Sequence, residues 1–271
     1  MAQNTYKKKP NQSPIQRPIQ RPVKKAWFKS VFSAKKQQNG NFKSKIFSFV
    51  KSALIFFFVS TIFMVFIYKY IPVVFTPTMV QRKISAIINN EDSEINYEWK
   101  SYQSLSKEAA LAVVAAEDQF FPEHNGFDFK AMNKAFQGNL NGKRLKGAST
   151  ITQQVAKNVF LWQNRDYIRK GLEVYFTLLI ELVWGKERIL EMYLNVAETG
   201  KMTFGFEQGS QKYFGHSAET LSRTEASKMA AVLPNPIRFS VKNPSNYIQR
   251  RSNFIARQMR ALGGKTYLKD L

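Results

Sequence analysis

The chain contains no cysteine, which excludes a disulfide framework and thiol chemistry. Its two histidines, His124 and His216, are too few for a zinc site of the His/Cys kind. Acidic residues are missing from the whole N-terminal third: the first is Glu91. The formal net charge of +22 would suit a nucleic-acid binder, but its distribution argues otherwise. Thirteen Lys or Arg and no acid precede Ala53, whereas 25 basic and 19 acidic residues follow from Glu91 onward, leaving only +6 there. The excess sits in a tail, and no nucleic-acid partner is expected.

Residues 1–45 are polar, basic and interrupted by Pro10, Pro14, Pro18 and Pro22. Such a segment buries too little apolar surface to offset ordering entropy, so a disordered tail is expected. A long apolar run follows, KIFSFVKSALIFFFVSTIFMVFIYKYIPVVF, with no charge between Ala53 and Tyr68. With its flanks over 46–75 it can cover a hydrocarbon core, which needs about 20 helical residues. Lys51 and Lys69 suit the two interfaces. A secretory signal peptide competes with this reading, but the basic region is too long and no small-residue cleavage site follows. The charge asymmetry places the N-terminus in the cytoplasm and the remainder outside the inner membrane, as a single-pass protein.

After a linker over 76–94, a mainly α-helical domain is expected over 95–263, and GGKTYLKDL (residues 263–271) reads as a tail from 264 onward. SLSKEAALAVVAAED, STITQQVAKNVFL, RKGLEVYFTLLIELVWG, KERILEMYLNVAE and SRTEASKMAAVL have helical composition and apolar spacing. The best strand pattern, INYEWKSY over 95–102, has little to pair with.

Four stretches carry polar residues that could do chemistry. In AAEDQFFPEHNGFDF, Glu117 and Asp118 close an apolar helix, where the helix dipole disfavours acids. Read alone this is either a solvated helix end or a functional carboxylate, and His124 alone is a structural hydrogen-bonder. In KGASTITQQVAKN, Ser149 or Thr150 is an N-cap, and the helix start suits an anion. Gln153 and Lys157, and Gln154 and Asn158, are spaced i, i+4; an exposed polar face is the plain alternative. In NRDYIRKGLE, Glu173 lies i+4 from Arg169 and i+3 from Lys170, either a surface ladder or a carboxylate kept ionised by cations. In KERILEMYLN, an apolar stripe is joined by Glu191 and Asn195, which read as scaffold.

In this order, behind a membrane span, the four stretches resemble the family-51 glycosyltransferases, the peptidoglycan polymerases found alone or fused to penicillin-binding transpeptidase domains. EDQFFPEHNGFD is similar to the first family motif, carried here by Glu117, Asp118, Phe121, His124 and Gly126. GASTITQQVAKN is similar to the second, RKGLE to the third and KERILEMYLN to the fourth; YFG, AAVLPNP and Arg250-Arg251 resemble the domain's end. The resemblance covers roughly residues 90–262. It implies a lysozyme-like helical domain with a small mobile jaw, here FDFKAMNKAFQGNLNGKRLKG, whose Phe127, Phe129, Met132, Phe136, Lys143, Arg144 and Lys146 suit an anionic membrane surface or simply a core. The expected form is monofunctional, because no SxxK, SxN and KTG set follows.

The resemblance also implies the chemistry. The growing strand would be the donor, through its undecaprenyl pyrophosphate, and lipid II the acceptor, with inversion to a β-1,4 linkage. Glu117 would be the general base. Lys157, Arg165, Arg169 and Lys170 would neutralise the departing pyrophosphate. Glu173 would orient those cations, hold a divalent ion or steady the phosphate. Asp118, Phe121, His124, Ser149, Thr150, Gln154 and Asn158 would position substrate. No organic cofactor is implied; Mg²⁺ or Mn²⁺ stays open. Partners would be lipid II, the nascent glycan, membrane lipids, and other cell-wall synthesis or division proteins. Two other readings compete: a membrane-bound glycan-cleaving enzyme, lysozyme-like or a lytic transglycosylase, and a single-pass scaffold. The first has no use for a cationic cluster facing a pyrophosphate; the second leaves the four motifs unexplained.

Overall fold

The computed structural model describes Met1 and residues 25–140, 149–164 and 166–271, with no side chains for 25–41, 139 and 140. These fall into two units, residues 1–59 and 60–271. The first is built on the N-terminal part of α1 (Lys25–Tyr68), so the described part of the expected disordered tail is helical. Among the described residues, Phe42–Tyr68 is the one helix long and apolar enough to cross a membrane. Within the first unit, Phe47, Phe49, Ile55, Phe56 and Val59 are all exposed.

The second unit is mainly helical, as expected. Its C-terminal turns of α1 end at Tyr68, short of the apolar flank that was counted with the span. The end is capped from elsewhere: Trp184 Nε1 donates to Val65 O at 2.8 Å, and the Arg188 guanidinium donates to the carbonyls of Tyr68 and Ile71. A cation suits helix C-terminal carbonyls, which carry partial negative charge. The expected linker contains α2 (Pro77–Ile88), started by the Thr76 N-cap with proline in the first turn.

The centre is α3 (Lys107–Glu117), capped by Ser106, whose hydroxyl accepts from Glu108 N. Ala109 to Ala115 are at most 2% exposed, so this helix is apolar all round because it is surrounded. Helices α7 (Lys186–Val196), α9 (Arg223–Val232) and α10 (Asn246–Ala261) pack against it, while α5 (Ile151–Phe160) packs against α7 and against α6 (Tyr167–Val183). Helix α4 (Phe129–Leu140) precedes α5, and α8 (Gly205–Phe214) follows α7. The expected strand pairs after all: β1 (Asn96–Tyr97) runs parallel to β3 (Thr203–Phe204), which pairs antiparallel with β2 (Glu198–Gly200). Strands of two and three residues are too short for periodicity to reveal. Asn195 ties the chain just after β1 to α7, since its side-chain amide exchanges hydrogen bonds with Lys100 N and O at 2.8 Å. Residues 264–271, expected as a tail, form a 3₁₀ turn (Gly264–Leu268) whose Leu268 joins the core.

Candidate active site

Glu117 is the last residue of α3 and Asp118 its C-cap. The two adjacent carboxylates face different partners. Glu117 Oε2 accepts from Gln154 Nε2 and Oε1 from Arg251 Nη2, each at 3.1 Å. Gln154 Oε1 in turn accepts from the buried Tyr193 hydroxyl at 3.1 Å, and Arg251 Nε donates to Ala231 O. The Glu117 side chain is 16% exposed. Burial pushes its carboxyl above the usual range, and neighbouring Asp118 adds to this, while Arg251, Gln154 and Lys157 pull the other way.

Asp118 joins the first motif to the second. Its Oδ2 accepts from Ile151 N, the first residue of α5, at 3.0 Å, and its Oδ1 meets His124 Nε2 at 2.9 Å. Thr150 and Gln153 form a reciprocal capping box there. The α5 start, expected to suit a substrate anion, therefore holds the chain's own Asp118 carboxylate. Thr150 is buried and its hydroxyl also donates to Gly126 O at 2.7 Å. Phe121 is fully buried in the core. The Lys186 ammonium lies 4.6 Å from its ring centroid and bonds His124 O and Glu181. His124 Nδ1 is buried without a hydrogen-bond partner among the described residues. Phe121 and Thr150 are buried, Asp118 and His124 bond each other, and of the residues expected to position substrate only Gln154 hydrogen-bonds Glu117.

A second cluster lies on α6, which packs against α5. The buried Glu173 accepts from Arg169 Nη1 at 2.7 Å and from Lys170 Nζ. Arg169 is buried too, and its Nε has no hydrogen-bond partner among the described residues. Lys170 is half exposed. The helix starts at Asp166, whose carboxylate accepts from Arg169 N. The backbone carbonyl of Asn158 accepts from the Thr78 hydroxyl of α2 and its side-chain Oδ1 from Gln163 Nε2, and Ser149 is exposed. Arg165, Lys143, Arg144 and Lys146 lie outside the described residues. Both oxygens of Glu173 carry a cationic partner, and among the described residues no three His, Cys, Asp or Glu side chains converge. This arrangement does not fit a divalent cation.

Sequence spacing missed Arg251 as a partner of Glu117, because 134 residues separate them. It also missed Tyr193, which its helical pattern placed in a buried stripe. The paired arginines at 250–251 were the one signal for Arg251.

Residues 82–260 match the family profile described as transglycosylase, and the chain belongs to that family of enzymes. It is 48% identical over 223 residues to a biosynthetic peptidoglycan transglycosylase of Chromohalobacter salexigens, covering 82% of this chain and 95% of that one. A protein of the same description from Pseudomonas putida is 47% identical over 81% of this chain and 93% of its own. One from Bdellovibrio bacteriovorus is 51% identical over 76% of this chain and 82% of its own.

Proposed function

We propose that this enzyme polymerises the glycan strands of peptidoglycan, with lipid II as acceptor and the strand-bearing undecaprenyl pyrophosphate as donor. The observation that carries the reading is a carboxylate in a mostly buried, polar-lined position at the end of an apolar helix. Glu117 takes the proton of the acceptor 4-hydroxyl as that oxygen bonds to the donor's anomeric carbon. The bond to the pyrophosphate oxygen breaks on the opposite face, inverting the centre. A carboxyl raised above its ordinary value is a stronger base than a solvated one. Gln154 and Arg251 occupy one lone pair on each oxygen and fix the group, leaving the remaining lone pairs for the acceptor proton.

The leaving pyrophosphate is a weak base that needs charge neutralisation more than a proton. Lys157, Arg165, Arg169 and Lys170 fill that role, with Glu173 keeping Arg169 and Lys170 in place. Arg169 Nε, a buried donor with no hydrogen-bond partner among the described residues, suits a phosphate oxygen. Ser149 and Asn158 bind donor groups nearby. Both substrates are lipid-linked, which gives the apolar helix its use: it anchors the domain at the outer face of the inner membrane, with the N-terminus cytoplasmic. Phe129 and Phe136 of α4 are 72% and 63% exposed, which supports a bilayer-facing jaw over a core helix.

The test is incubation of the full chain in detergent with labelled lipid II, and separately with preformed glycan strands. Polymer formation with release of undecaprenyl pyrophosphate supports the proposal. Untouched lipid II together with cleaved strands would replace it with the glycan-cleaving reading.

A further inference from the structure

The segment 263–271 has the composition of a loose end, yet it is packed against the helix that carries Glu117. Gly263 and Gly264 both take left-handed φ, +95° and +69°, a conformation that side-chain-bearing residues rarely adopt. This reverses the chain after α10 and lays Tyr267 and Leu268 against α3. There the Tyr267 hydroxyl donates to Gln119 O at 2.7 Å. Burial and the carboxylates of Glu123 and Asp118 push that hydroxyl's pKa up, so it stays a donor. The Gln119 side chain is held as well, donating to Gln258 Oε1 at 3.3 Å and to Ala115 O at 3.2 Å. Gln258 and Arg251 are seven residues apart on α10 and therefore share one face. That face bonds Gln119 with one residue and Glu117 with the other.

We propose that Tyr267, Gln119 and Gln258 form a brace that keeps the seam between α3 and α10 closed, so that Arg251 stays on Glu117. Tyr267 is then a positioning residue acting through Arg251. The inference rests on the role given to Glu117 above. When the brace is released, Arg251 withdraws, and the carboxylate loses the cation that favours its charged form. The base then needs a higher pH to ionise.

The experiment compares pH–rate profiles of lipid II polymerisation for the full chain and for Tyr267→Phe, Arg251→Gln and the double variant. Tyr267→Phe keeps the ring and removes only the hydroxyl. One neutral hydrogen bond corresponds to roughly a 3- to 10-fold change, so kcat should fall by about that factor with KM for lipid II unchanged. The acid limb should move to higher pH. In the Arg251→Gln background, Tyr267→Phe should produce no further shift, because the two act on one pair. Gln258→Ala provides a second cut through the same brace and should reproduce the shift. An unmoved acid limb in both Tyr267→Phe and Gln258→Ala, or shifts that add fully to that of Arg251→Gln, would overturn the brace. A wild-type chain without polymerase activity would instead sink the functional reading itself.

Discussion

As the proposed general base, Glu117 has to be ionised where its surroundings disfavour charge. Its carboxyl is raised by burial, and Arg251 and Gln154 only partly offset that. Because a base acts deprotonated, the acid limb of the rate profile should lie above the ordinary carboxylate range. Arg251→Gln should move it higher still, as a pH–rate measurement would show. Glu117→Gln should lower the polymerisation rate by about 10²- to 10⁴-fold, the usual worth of a general base. The same substitution has a stability consequence. A folded-state value above the unfolded one means that the folded state binds the proton more tightly, so the wild type loses stability as pH rises through it. Glu117→Gln should therefore melt higher than wild type at neutral pH, and the gain should vanish below the ordinary carboxylate range. Thermal unfolding of both at two pH values checks this. The carboxylate itself was legible in the sequence, through acids at a dipole-disfavoured helix end. Its cation was not, because periodicity speaks only of neighbours within an element.

At the scale of elements, the second motif is a joint. Thr150 caps α5, exchanges bonds with Gln153 and donates to Gly126 O, while Asp118 fills the helix start. The sequence showed the cap residues but not what the helix start would hold, since that depends on a residue 33 positions away. Thr150→Ala should destabilise the domain by about 1–2 kcal/mol, a typical capping loss, read from denaturant midpoints. Gly126 sits at φ +85°, and a Cβ there would lie 2.7 Å from Thr177 Cγ2 and 3.0 Å from Glu181 Cγ. Gly126→Ala combines backbone strain with a clash, so a loss of about 2–4 kcal/mol is expected. The five helices expected around the motifs are present within three residues of their sequence boundaries. The helix in the linker and the turn after α10 were hidden because tertiary contacts, not periodicity, hold them.

For the whole molecule, the sequence revealed a single apolar span and a helical domain, because charge and hydrophobicity are segregated along the chain. The proposed orientation rests on that charge bias and is open to direct test. The absence of cysteine means that one introduced thiol is the only label site. On intact spheroplasts, a membrane-impermeant maleimide should modify Lys242→Cys in the domain and leave Ser13→Cys in the basic tail untouched. Labelling of the tail alone would reverse the assigned topology.

Glycan synthesis from labelled lipid II by the full chain and by Glu117→Gln, followed by lysozyme digestion, tests the central claim most directly. The account predicts a polymer from wild type that lysozyme reduces to disaccharide units, and about 10²- to 10⁴-fold slower synthesis by the variant. A variant that polymerises at the wild-type rate would contradict it.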